Sequence, residues 1–133
     1  MSRRNLRILV VAMLMICATH SYATEYKGIA SEVVQLPKFC WGQYNAKLLP
    51  RMYTLVADRR CGPFTNHYCP GLLDYLHAMN PTASKAVRTQ SYSSAITNTK
   101  YTLDGLKDYP ACPLRRHVEK FYKKITSQAR PPP

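Results

Sequence analysis

The clearest pattern in the chain lies near its end. Behind Pro113, Leu114, His117, Val118, Phe121, Tyr122 and Ile125 fall on one stripe, while Arg115, Arg116, Glu119, Lys120, Lys123 and Lys124 fall on the other. Apolar positions that return every three or four residues predict an amphipathic helix, and Pro113 suits its opening because a first-turn residue has no use for its N–H. A second stripe runs through Cys69, Leu72, Leu73, Leu76 and Met79. It predicts a helix from Pro70 to Met79 that Asn80-Pro81 ends. From Ala83 to about Leu103 the pattern is weaker. The expected buried face is small: Ala83, Ala86, Val87, Ser94 and Ala95, then Tyr101 and Leu103. Many serines and threonines lower the helix propensity there, and Gly105 is the expected stop.

Earlier segments are less regular. Trp41 to Ala57 reads as helical but interrupted by Pro50, which removes a donor and clashes with the preceding turn. Asp58-Arg59-Arg60-Cys61-Gly62-Pro63 reads as a turn. Tyr26 to Leu36 is mixed, a short helix or an extended lead-in, and Pro37 interrupts it. No segment alternates in the manner of a strand. The expected fold is all-α: a small disulfide-linked helical domain of about four helices, with a helix-turn-helix hairpin and a basic amphipathic helix at its C-terminus.

The first two dozen residues follow a different logic. Arg3, Arg4 and Arg7 precede an apolar run from Ile8 to Cys17, and Ser21-Tyr22-Ala23 follows. A charged region, a short apolar region and a small-x-small site form the order of a secretory signal. The run falls well short of the roughly 20 residues that a membrane span needs. Cys17 does not fit a lipidation site, because bulky Ile16 precedes it. The expected organisation is a signal peptide over 1–23, one helical domain over 24–130, and a disordered proline tail over 131–133. The expected location is periplasmic or secreted.

Cleavage changes the charge and cysteine counts. Residues 24–133 keep 16 basic and seven acidic residues, a formal charge of +9. That balance favours anionic partners. Four cysteines remain, Cys40, Cys61, Cys69 and Cys112. An even number in an exported chain is read as two disulfides, for which the residues alone leave three pairings open.

Two phrases carry a resemblance. Leu36-Pro37-Lys38-Phe39-Cys40 is similar to an LPxYC phrase, and Asn66-His67-Tyr68-Cys69-Pro70-Gly71-Leu72 to an HHYCxGL phrase. Over about Leu36–Met79 the chain resembles exported proteobacterial proteins with helical repeats of the tetratricopeptide kind. The resemblance implies an exported, non-catalytic helical-hairpin protein with Cys40 bonded to Cys69, which leaves Cys61 to Cys112. A true tetratricopeptide repeat recurs every 34 residues and needs about three copies to be stable. No second copy is present here, so the rest of the domain or another chain must cover the hairpin.

The candidate chemistry is sparse. His67 and Cys69 lie close together, but the second ligand pair of a soft-metal site is missing. No Cys-x-x-Cys-His haem motif, Gly-rich phosphate loop or Gly-x-Ser-x-Gly elbow occurs. The acidic residues Glu25, Glu32, Asp58, Asp74, Asp104, Asp108 and Glu119 form no acid–base couple in the sequence. No metal, cofactor or enzymatic activity is expected, and loss of an activity on replacing His67 would reverse that. His67 is expected to bond backbone and to pack its ring beside a disulfide, and His117 to sit at the core edge.

The functional hint is the basic face of the last helix: Arg115, Arg116, Lys120, Lys123 and Lys124, with Arg59-Arg60 as possible additions. Ten tyrosines also suit recognition. The expectation is an exported interaction or structural protein, an accessory subunit of an envelope or extracellular assembly, that docks an acidic protein through a basic, tyrosine-rich surface. The alternative is a cationic binder of anionic cell-surface polymers, glycan or lipid headgroup. A second copy of the chain is a further candidate partner. Nucleic acid is not expected, since export separates the protein from it and no binding motif is present.

Overall fold

The computed structural model describes residues 30–44, 56 and 58–128. These residues form five α-helices and no strand: α1 (Ala30–Val33), α2 (Lys38–Tyr44), α3 (Tyr68–Ala78), α4 (Lys85–Gly105) and α5 (Arg115–Ser127). Three short 3-10 turns, Arg59–Cys61, Pro63–His67 and Leu106–Asp108, join them. The all-α class expected from the pattern holds. The signal region, the break at Pro50 and the proline tail lie outside the described residues. No helix among the described residues is long and apolar enough to cross a membrane.

Three helices make the body. Tyr75 of α3 meets Tyr92 of α4 with ring centroids 6.4 Å apart, while Thr102 near the far end of α4 donates to the carbonyl of Phe64, ahead of α3. Early residues of one helix therefore face late residues of the other, and α3 and α4 form an antiparallel hairpin. The hydroxyl of Tyr92 donates to the carbonyls of Ile125 and Gln128, so α5 runs antiparallel to α4 as well. In keeping with this, Tyr68 at the start of α3 bonds the carbonyl of His117, and Tyr75 packs edge-on against Phe121. The hairpin is thus covered from within the chain.

The local signals explain the helix ends. Ser84 caps α4 by accepting from Val87 N–H at 3.3 Å, which delays the helix to Lys85. Asn80 turns the α3–α4 connection by accepting from Thr82 N–H at 3.0 Å. Asp58 caps the turn at Arg59–Cys61, accepting from Arg60 N–H at 2.9 Å. Gly62 follows with φ +64°, the left-handed region that favours glycine.

Two disulfides staple the periphery to this body. Cys40 on α2 bonds Cys69 in the first turn of α3, with Cα atoms 5.5 Å apart. Cys61 bonds Cys112 in the loop before α5, with Cα atoms 4.6 Å apart. The pairs span 29 and 51 residues. In the chain-entropy picture, closing loops of that size stabilises by roughly 4 kcal/mol per bridge. All four sulfurs sit in the core with Leu36, Leu73, Leu106, Leu114, Val118, Phe121 and Ile125. Both pairings agree with those implied by the resemblance, and they require an oxidising environment to persist.

Several expectations need correction. The buried face of α4 keeps Ala95 and the partly buried Leu103 of the expected set but turns away from Ala86, Val87 and Tyr101. Val87 and Tyr101 are 49% and 48% exposed and Ala86 is exposed, whereas Tyr92, Ala95, Thr99 and Thr102 are buried. The reason is that the threonine hydroxyls bond within the helix: Thr99 donates to the carbonyl of Ala95 at 2.7 Å, and Thr102 to that of Asn98 at 3.2 Å. With its donor satisfied, threonine packs like a small apolar residue. Gly105 ends α4 without a left-handed cap, since the following Leu106 is still right-handed. Its role is close approach: a Cβ there would collide with the ring of Phe64. The last helix starts at Arg115, two residues after Pro113. His117 is exposed, with its ring 5.6 Å from that of Phe39.

Candidate anion-binding face

Inward packing of α5 fixes what points outward. Leu114, Val118 and Ile125 are fully buried and Phe121 nearly so. Residues at 100° per step from these positions place Arg116, Lys120 and Lys123 on the opposite side, and all three are exposed. The five basic residues read from the sequence then divide. Arg115 donates to Glu119 at 2.8 Å, one turn on. Lys124 leans over the ring of Tyr75, with Nζ 4.8 Å from its centroid. Arg116, Lys120 and Lys123 have no carboxylate partner among the described residues.

Three of the described acids are engaged away from α5. Asp58 is held by Arg60 at 2.7 Å. The side-chain and backbone hydrogen bonds from Arg60 lower the Asp58 carboxyl to about 2. Asp104 pairs with both Lys100 and Lys107. Glu32 pairs with His77 at 3.0 Å and so ties α1 to α3. Arg60 is therefore not free to extend the basic face. Arg59 is exposed on the turn that the Cys61–Cys112 bridge holds against the approach to α5.

Of the described tyrosines, Tyr122 lies half-buried on α5 itself and Tyr75 sits under Lys124. Tyr68 and Tyr92 are buried, Tyr44, Tyr75 and Tyr109 pack against the core, and Tyr101 is the exposed large aromatic, on α4. Phenolic hydroxyls with a backbone acceptor let such rings enter the core. Tyr92 is one example, and burial pushes the Tyr68 hydroxyl well above its ordinary range.

A second polar constellation lies on the α3–α4 seam. His67 Nδ1 is 2.9 Å from Asn98 Oδ1, and Asn98 Nδ2 donates to Asp74 Oδ2 at 2.9 Å. The His67 ring packs on Tyr101 with centroids 4.3 Å apart. The partner of His67 is thus a side chain on the next helix, not the backbone, and its ring lies against a tyrosine. Nothing in the sequence marked Asn98, because its partners lie 24 and 31 residues away. Partial burial holds the Asp74 carboxyl above its ordinary range, although Asn98 and His77 pull it back. The four described cysteines are consumed in disulfides, so this histidine has no thiolate to activate among the described residues. No group of three His, Cys, Asp or Glu side chains suited to a metal occurs among the described residues.

Comparison with family models, curated proteins and solved structures found no match to this chain.

Proposed function

We propose that this is an exported, non-enzymatic docking protein: a helical scaffold, stapled by two disulfides, that presents the outer face of its last helix to an acidic partner of an envelope or extracellular assembly. The observation that carries the reading is the set Arg116, Lys120 and Lys123, outward on one helix and with no ion-pair partner among the described residues. The helix fixes the spacing of the three cations, so binding orders side chains and not backbone. The resemblance at Leu36–Met79 supports export and a non-catalytic role. The hairpin supplies less motive for a partner than its solitary repeat implied, because α5 and α2 cover it.

The test is association of the mature protein with washed envelope or cell-surface material as salt is varied. Wild type should bind at low ionic strength and release as salt screens the cations. Arg116→Glu, Lys120→Glu and Lys123→Glu together should abolish binding while leaving the helical circular dichroism unchanged. A wild-type protein that stays free, or a triple variant that binds as well, would falsify the proposal.

A further inference from the structure

We infer that the occupant of this face is a linear anionic polysaccharide with one carboxylate or sulfate per sugar unit. The inference rests on the docking reading above and specifies its partner. Three features point to it. The cations stand in a line at i, i+4 and i+7, so Arg116 and Lys123 are about 10 Å apart along the axis with Lys120 between them. A repeat of about 5 Å per cation is close to the length of one sugar unit in an extended chain.

The face also lacks what other partners need. Protein interfaces centre on buried aromatic or aliphatic anchors inside a polar rim. The exposed large hydrophobic residues among those described are Val34, Val87 and Tyr101, none of them on α5. Exposed Thr126 and Ser127 flank the cations instead, and Glu119 of the same helix is tied to Arg115 at 2.8 Å. A membrane surface would be met by an apolar stripe that enters the headgroup layer, whereas the apolar stripe of α5 is spent on the core. A single row of charges fits a chain better than a plane. Arg116 adds a planar fork matched to the two oxygens of a carboxylate or sulfate.

The experiment uses the protein with both disulfides formed and polygalacturonate as probe, with neutral dextran, polyglutamate and anionic lipid vesicles beside it. Polygalacturonate should bind and dextran should not. The slope of log affinity against log salt should be about −2, the value for three neutralised charges on a flexible polyanion. Arg116→Gln, Lys120→Gln and Lys123→Gln together should weaken binding about tenfold or more. Lys85→Gln, Lys100→Gln and Lys107→Gln remove the same formal charge from the α4 region and should leave most of it. Equal loss in the two triples would overturn the inference, because overall charge and not the row would then do the binding. If polyglutamate or vesicles bind through α5 and polygalacturonate does not, the polysaccharide is wrong and the docking face stands. Binding by none of the probes sinks the polysaccharide, and the envelope experiment then decides the docking reading separately.

Discussion

Helices α4 and α5 join the same bundle by opposite means. The shorter helix, α5, packs through Leu114, Val118, Phe121 and Ile125, an apolar stripe with charge on its back. The longer one, α4, buries Tyr92, Ala95, Thr99 and Thr102, and comes close to α3 where Gly71 lies against Ala95, Asn98 and Thr99. One interface is held by area removed from water. The other is held by backbone proximity and by hydroxyl and amide groups that find partners at the seam. The first kind releases a whole face for solvent or ligand, which is how α5 comes to offer cations. The second spends polar groups on the fold.

The largest effect should come from the apolar interface. Phe121 packs edge-on against Tyr68 and Tyr75, with centroids 6.1 and 5.4 Å away. Phe121→Ala should cost about 3–5 kcal/mol in denaturant unfolding. A loss under about 1 kcal/mol, the scale of an ordinary surface change, would mean that the two interfaces do not differ as described.

Close approach on the α4 side gives a smaller effect of diagnostic sign. A Cβ at Gly71 would lie 3.0 Å from Thr99 Oγ1 and 3.2 Å from Asn98 Cβ. Helix propensity alone predicts that Gly71→Ala gains about 1 kcal/mol. Overpacking predicts a loss of about 1–3 kcal/mol instead. The loss is expected, measured by the same unfolding titration. A gain would show that the seam has room and that its small residues are incidental.

The smallest effect is in the pH dependence. Burial raises the Asp74 carboxyl in the folded state. A raised carboxyl favours folding most below the ordinary aspartate value, and that contribution is lost as pH rises through the folded pKa. Asp74→Asn keeps an oxygen to accept from Asn98 and removes the charge. Relative to wild type it should gain stability as pH climbs from acid towards neutral, read as a widening difference in melting temperature. A difference that stays flat would place Asp74 in solvent. Asp58 runs the other way: its lowered carboxyl supports the fold above the ordinary aspartate range and stops doing so as pH falls towards about 2.

How much of this was legible varies by residue. The stripe of α5 and most of α3 follow from spacing alone, because large apolar side chains leave an unmistakable period. The buried face of α4 is legible only at Ala95 and Leu103. Its threonines look polar until their hydroxyls are seen to bond the carbonyls of the preceding turn, and Val87 and Tyr101 look buried by composition. Tyr68 and Tyr92 left the surface for a related reason: a phenol that reaches a backbone carbonyl on a neighbouring helix can enter the core. The basic row was visible in part, since five cations on one helix could be counted, but which of them remain unpaired could not.

The sequence by itself determined the all-α class and the division of the last helix into an apolar and a basic side. These depend on period and composition, which are local. Tertiary structure alone decided the rest of the buried face of α4, the His67–Asn98–Asp74 chain, and the choice of Arg116, Lys120 and Lys123 from the wider set of cations. Each of those depends on a hydrogen bond or a close approach between residues far apart in the chain, and no local pattern records such a meeting.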